Sequence, residues 1–254
     1  MPTARKLAFF AAAAVLLGAA VPSAIAAPPA HVASALADQK RPAEDRARDA
    51  ARKPGEMLAF AEVKAGDKVA DLVIGGGYFT RILAAAVGPT GKVYAYQPSE
   101  FTQFAKEYAE APGKVAAIYP NVVPVVTPFA EVAFPEPVDL VFTAQNYHDF
   151  HIKEVPAGTA EKVNRAVFKA LKPGGVYLII DHFAAPGSGL TVIDSLHRID
   201  AKDVRSEVTA AGFVYEGAIE DLRNPADPRT ANVFDKAIRG HTDQFVYKFR
   251  KPRS

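Results

Sequence analysis

The sequence predicts an α/β fold: a doubly wound, mostly parallel seven-stranded sheet with an antiparallel C-terminal strand. Three observations predict it. From residue 68 onward, short apolar runs alternate with segments of helical period. Glycine and proline clusters mark the joints between them. Finally, two apolar runs near the C-terminus follow one another with no helical pattern between them. Alternation of strand and helix implies parallel pairing, and a strand joined without a helix implies an antiparallel ending.

Each element follows from local pattern. Lys68 to Val73 (KVADLV) is the first strand, and Tyr78 to Val87 is a helix closed by Gly88-Pro89. Lys92 to Gln97 is the second strand. Glu100 to Ala111 is the second helix, stopped by Pro112-Gly113. Asn121 to Thr127 is the third strand, and Pro124 confines it to an edge because proline cannot donate to a ladder. Val138 to Ala144 is the fourth strand. Ala160 to Leu171 is a helix ending at Lys172-Pro173-Gly174-Gly175, and Val176 to Asp181 is the fifth strand. Asp203 to Ala211 is a helix stopped by Gly212. Phe213 to Ile219 and Gln244 to Arg250 complete the sheet, separated by a long polar stretch from Glu220 to Asp243.

The N-terminus reads differently. Arg5 and Lys6 precede an apolar run from Leu7 to Ala20, and Ala24-Ile25-Ala26 offers small residues before Ala27. This is the pattern of a cleaved secretory signal over residues 1–26, with an apolar run shorter than the ~20 residues of a membrane span. An uncleaved anchor is the alternative. A periplasmic or secreted protein without stable membrane insertion is therefore expected. Residues 27–40 read as an Ala- and Pro-rich tether. Residues 41–53 read as a solvated helix ended by Pro54-Gly55, with the main domain spanning 54–254. The formal net charge of +2 is accounted for by Arg5 and Lys6, so the remaining chain is near neutral. That argues against a nucleic-acid partner, which selects for basic patches. The chain has no cysteine, which excludes disulfides and thiolate metal sites.

Asp71-Leu72-Val73-Ile74-Gly75-Gly76-Gly77 lies between the first strand and the first helix of the sheet. Glycines there let a ligand approach the backbone, and the helix beyond offers free N–H groups. The segment resembles the acidic-x-Gly-x-Gly-x-Gly motif of class I S-adenosylmethionine-dependent methyltransferases. Asp71, Gly75 and Gly77 match it, and Val73 stands at its first glycine. Leu171-Lys172-Pro173-Gly174-Gly175, Val138-Asp139-Leu140-Val141 and the antiparallel ending extend the resemblance from about Val69 to Arg250. The segments GGGYFTRILA, NYHDF, HRID and RNPADPRT are similar to those of a group of exported bacterial predicted methyltransferases.

The resemblance implies a Rossmann-like methyltransferase fold and S-adenosyl-L-methionine as cofactor. It places Asp71, Gly75, Gly76 and Gly77 around the amino-acid end, Gln97 at the ribose, and Tyr78 and Asn146 in the same pocket. Gln97 occupies the position where an acid ordinarily holds the ribose hydroxyls, and Glu100 is a substitute three residues on. A dinucleotide is the rival ligand, although Thr80 replaces the third glycine of that pattern.

The carboxyl ends of the fourth and fifth strands carry Asn146, Tyr147, His148, Asp149, His151, Asp181 and His182, followed by His197 and Asp200. In a doubly wound sheet these ends meet the ligand. Three readings stay open. A neutral His148 or His182, oriented by Asp149 or Asp181, serves as general base. Alternatively, His and Asp side chains hold a divalent metal, although no complete ligand signature is present. Otherwise the histidines are structural. The catalytic set on the first reading is His148, Asp149 and His182, with no metal. Sequence adjacency favours Asp181 or His182 over Asp149 as the partner of His148. Arg198, Arg205, Arg223, Arg229 and Arg239 are expected on a solvated surface. The function expected is methyl transfer to a small-molecule or envelope substrate. The alternative is a non-catalytic exported binding protein on the same scaffold.

Overall fold

The structure, a computed structural model, describes residues 28–253, so the expected signal at 1–26 lies outside the described residues. Seven strands form one sheet in the order β3-β2-β1-β4-β5-β7-β6. They are β1 (Lys68–Leu72), β2 (Lys92–Pro98), β3 (Val122–Thr127), β4 (Val138–Ala144), β5 (Leu171–His182), β6 (Val214–Ile219) and β7 (Gln244–Arg250). Strands β3, β2, β1, β4 and β5 pair in parallel, with Val69 opposite both Val93 and Leu140. Strand β7 runs antiparallel to both its neighbours, with Ile179 opposite Tyr247. The fold is thus the predicted α/β sheet with an antiparallel C-terminal strand.

Alternation along each strand feeds two cores. Val69, Val93, Leu140 and Leu178 face one side, and Ala70, Tyr94, Val141 and Ile179 face the other. The first side is covered by α1 (Ala30–Leu36), α4 (Pro54–Phe60), α5 (Tyr78–Val87) and α6 (Lys106–Ile118). The second is covered by α7 (Thr159–Ala170) and α9 (Ala201–Ala210). Full burial of each such Val or Leu contributes roughly 1.5–3 kcal/mol, so a one-residue slip of any central strand would forfeit several of these at once.

Five expectations are corrected. Residues 27–40 are not simply a tether: α1 lies there, with Val32 and Ala35 buried in the first core. Residues 41–53 form two short helices, α2 (Ala43–Arg46) and α3 (Asp49–Arg52), rather than one solvated helix. Pro54 starts α4 instead of ending its predecessor: Lys53 turns left-handed at φ 42°, and proline at the first helical position loses no hydrogen bond. Pro112 lies inside α6, where it and its neighbours Ala111 and Val115 are buried, and this packing offsets the lost backbone bond. The Leu171-Lys172-Pro173-Gly174-Gly175 segment is the irregular start of β5 rather than a turn before it, with a register shift between Val138 and Leu140. A Cβ on Gly175 would meet the Lys172 carbonyl oxygen at 2.9 Å and that of Asp139 at 3.1 Å, so only glycine lets the bulge close. Pro124 lies on β3 at the sheet edge as predicted.

Candidate functional site

The strand order reverses between β1 and β4, and a cleft of about 680 Å³ opens there, at the carboxyl ends of the strands. Asp71, Gly75, Gly76, Tyr78, Gln97, Asn146, His148, Asp149 and His182 all line it. Gly77 lies just behind the lining, as the residue that starts α5.

The glycine loop is shaped by its backbone. Gly75 and Gly77 have φ of 54° and 82°, and Val73 adopts 67°, a left-handed value that costs a β-branched residue dearly. Two contacts hold Val73 in place: its N–H donates to the Tyr96 carbonyl at 2.9 Å, and its own carbonyl accepts from Asn146 Nδ2 at 3.0 Å. A Cβ on Gly75 or Gly76 would meet no atom within 4 Å, because both face the open cleft. A Cβ on Gly77 would strike Val115 Cγ2 at 2.6 Å. Asn146 Nδ2 also donates to Ala144 O at 2.7 Å, so this side chain stitches the end of β4 to the loop.

Gln97 is fully buried. Its Oε1 accepts from Gly75 N–H at 3.1 Å, whereas its Nε2 has no partner. The loop thus takes the amide oxygen, and the amide N–H group is what remains to be satisfied. Nor does Glu100 substitute, because its carboxylate accepts from Phe129 N–H at 3.1 Å and it does not line the cleft. Asp71 is buried, and its Oδ2 accepts from Thr80 Oγ1 at 2.6 Å. Burial pushes its carboxyl up to about 7, against the opposing pull of the Thr80 hydrogen bond and Arg52.

Arg48 and Arg52, both within the segment read as solvated, reach the cleft. The Arg52 guanidinium stacks 4.5 Å from the Tyr78 ring centroid and 4.9 Å from that of Phe79, and donates to Gln145 Oε1 at 2.9 Å. Burial, with help from Arg48, lowers it to about 10, which leaves it charged at neutral pH. The segment is clamped over the loop by Asp49, which accepts from the buried Arg41 at 2.5 and 2.9 Å and from Tyr78 Oη at 2.6 Å. Alternating charge on residues 41–53 gave the surface reading, and nothing local in the sequence signals that Arg52 packs on Tyr78, 26 positions further on.

The other end of the cleft is a charged cluster. A short 3₁₀ turn, His148–His151, follows β4. Asp181, at the end of β5, accepts from His148 N–H at 2.7 Å and faces His148 Nδ1 at 2.9 Å. The turn also brings the neighbouring Asp149 Oδ1 within 3.3 Å of His148 Nε2, so sequence adjacency does not separate them. Burial works against the His148 charge, but Asp181 and Asp149 outweigh it and raise the imidazole to about 9. His148 is therefore protonated at neutral pH in this state, and the expectation of a neutral base near its ordinary pKa is corrected. Burial lifts Asp149 to about 6 despite His148. His182 stays neutral, held at about 3 by burial, with Nδ1 2.7 Å from Thr242 Oγ1.

Other predicted residues turn away. His151 Nε2 pairs with Glu207 at 3.1 Å, so the His148-x-x-His151 spacing is not a ligand pair. Asp200 caps α9 through Lys202 N–H. Arg198 is fully buried, ion-paired with Asp227 at 2.9 Å, and Arg223 and Arg229 converge on the buried Asp243 at 2.8 and 2.6 Å. The surface reading of these three arginines is corrected: they organise residues 220–243, which carry Val233 and Phe234 to the cleft. Arg205 and Arg239 are exposed.

No family model matches the chain. The protein-L-isoaspartate O-methyltransferase of Aeropyrum pernix is 31% identical over 126 residues, which span 49% of this chain and 42% of that protein. The one of Ignicoccus hospitalis is 31% identical over 125 residues, spanning 48% and 51%. The chain thus spans about half the length of the curated relatives it matches. A SAM-dependent methyltransferase from Aquifex aeolicus superposes with TM-score 0.55 at 20% identity, covering 85% of this chain and 97% of that one. Aeropyrum pernix fibrillarin with natively bound S-adenosyl-L-methionine gives 0.51 at 16%, covering 80% and 76%. A [4+2]-cyclase gives 0.57 at 14%, covering 80% and 81%. These likenesses establish the Rossmann-like methyltransferase fold. The cyclase is a reminder that one scaffold carries several chemistries.

Proposed function

We propose that the protein is an S-adenosylmethionine-dependent methyltransferase. The observation that carries this reading is the buried, unpartnered Gln97 Nε2 beside a glycine loop whose Gly75 and Gly76 leave the cleft open. A buried donor without a partner is costly unless a ligand supplies an acceptor. A ribose hydroxyl of the cofactor would do so.

The residues present fit the rest of the cofactor. Asp71 would face its ammonium, which would restore the carboxylate charge that burial disfavours. Arg52, charged and stacked on Tyr78 and Phe79, would hold its carboxylate. When bound, S-adenosylmethionine supplies a methyl group activated by its sulfonium. The chain's own contribution is positioning and exclusion of water, with Asn146 fixing the loop against β4. The curated relatives are O-methyltransferases by name, which supports an oxygen acceptor; the substrate of this reading is a small molecule or an envelope component.

A second reading, a non-catalytic binding protein, is favoured by one observation: the charged ribose acceptor is replaced by an amide donor at Gln97. Calorimetry with S-adenosylhomocysteine tests the cofactor, and no heat at millimolar concentration would remove the methyltransferase reading. Binding without turnover on any acceptor would favour the second.

The signal pattern of residues 1–26 and the likeness of GGGYFTRILA, NYHDF, HRID and RNPADPRT to exported proteins support a periplasmic or secreted location. N-terminal sequencing should find Ala27 first; intact Met1 or Pro2 on a cytoplasmic protein would overturn it.

A further inference from the structure

The cluster at the β4–β5 end is given no role by the cofactor placement proposed above, and its geometry is that of a ligand set. One side-chain atom each from His148, Asp149 and His197 lie within 4.8 Å of one another, and all three residues line the cleft. His148 is oriented from behind. Asp181 engages both its backbone N–H and its Nδ1, which leaves Nε2 beside Asp149 Oδ1 at 3.3 Å. His197 comes from a different element, the end of α8 (Ile193–Leu196), where it adopts φ 52°. Its ring stands edge-on to His148 at 5.5 Å and packs against Phe234 at 5.0 Å.

We propose that His148, Asp149 and His197 bind a divalent cation of the Zn²⁺, Co²⁺ or Fe²⁺ class, with the remaining coordination positions open to the cleft. Ligand atoms about 2.0–2.2 Å from such a metal lie roughly 3–3.5 Å apart. The His148–Asp149 pair already has that spacing, and His197, partly exposed at the cleft wall, needs a movement of at most about 1.5 Å to join it. Two imidazoles and one carboxylate favour borderline transition metals over Mg²⁺ or Ca²⁺, which prefer all-oxygen sets. Asp181 completes the arrangement found behind metal-bound histidines, a carboxylate on the distal ring nitrogen that orients the ligand and raises its basicity. The metal site stands on this geometry alone. Its use, to bind and acidify a hydroxyl, phenol or carboxylic acid acceptor on the cleft side, rests on the methyltransferase reading.

The test is titration of untagged, chelator-treated protein with Co²⁺ and Zn²⁺, followed by calorimetry and, for Co²⁺, by its visible absorption. One equivalent is expected to bind, and millimolar Mg²⁺ should leave it in place. His197→Asn keeps a residue that tolerates the left-handed conformation, and should weaken binding ~100-fold with the fold intact by circular dichroism. Asp181→Asn, which touches no metal, should weaken it ~10–100-fold. His241→Ala, a histidine outside the cleft, should bind as the parent does. Failure to bind one equivalent, displacement by Mg²⁺, or equal binding by His197→Asn would overturn the proposal. S-adenosylhomocysteine calorimetry on the same protein is independent, so failure of the cofactor and failure of the metal are read separately.

Discussion

The two ends of the cleft are built by different means. At the β1–β2 end, the loop from Asp71 to Gly77 is shaped by backbone conformation: positive φ at Val73, Gly75 and Gly77, with hydrogen bonds to neighbouring strands. At the β4–β5 end, position is set by charge. Asp181 clamps His148, and the Asp227 and Asp243 ion pairs tie the 220–243 segment that carries Phe234 to His197. A backbone-built end tolerates side-chain change but not a Cβ in the wrong place. A charge-built end fails when one partner is removed.

The largest expected effect tests the charge-built end. Asp181→Ala removes the acceptor of two backbone N–H groups, those of His148 and His182, and the partner of a buried imidazole. Breaking a buried pair this way costs about 3–5 kcal/mol. Chemical denaturation should show that loss; a cost below about 1 kcal/mol would mean that the clamp is incidental.

Next comes the backbone-built end. Gly77→Ala meets Val115 at 2.6 Å and sits at φ 82°, so a loss of about 2–4 kcal/mol is expected. Measured against Val115→Ala alone, which has its own cavity cost, adding Gly77→Ala should cost only the left-handed backbone's about 1–2 kcal/mol. No further cost of Gly77→Ala in the Val115→Ala background would show that conformation matters less than space.

A smaller effect separates stability from binding. Asp71 is raised from 3.8 to about 7, so it binds more protons folded than unfolded across that interval. Its contribution is fully present below about pH 4 and is lost as pH rises towards 7. Asp71→Asn should abolish this slope and, above pH 7, make the ligand-free protein more stable by at least about 1 kcal/mol. The same change should weaken S-adenosylhomocysteine binding. Thermal melts from pH 4 to 8 read the first and calorimetry the second; an unchanged slope would place the titration elsewhere.

The smallest effect is the most particular. Val73→Gly gives up about 2–4 kcal/mol of burial and chain entropy but removes about 1–3 kcal/mol of strain. A net cost near 1 kcal/mol is expected, against about 3 kcal/mol for Val93→Gly, equally buried on a regular strand. Equal costs at the two positions would mean that the left-handed valine is not strained.

These contrasts also mark what could be read beforehand. Tyr78–Val87 and Val138–Ala144 were bounded by the sequence alone, because apolar period and glycine or proline stops act within a few residues. The same holds for the edge position of β3, where Pro124 cannot donate, and for the glycine loop, where the conformational need lies in the residues themselves. Tertiary structure alone decided that Arg52 packs on Tyr78 and Phe79, that Gln97 spends its oxygen on Gly75, and that Arg198 is buried. Asp181 is expected as a partner of His148 because both lie at carboxyl ends of neighbouring strands, but tertiary structure alone kept Asp149 in reach of the same ring and set His197 beside it. Charged and amide side chains carry no period that reports their partners. Whether such a group is solvated, paired or left waiting for a ligand depends on which distant segment the folded chain lays against it.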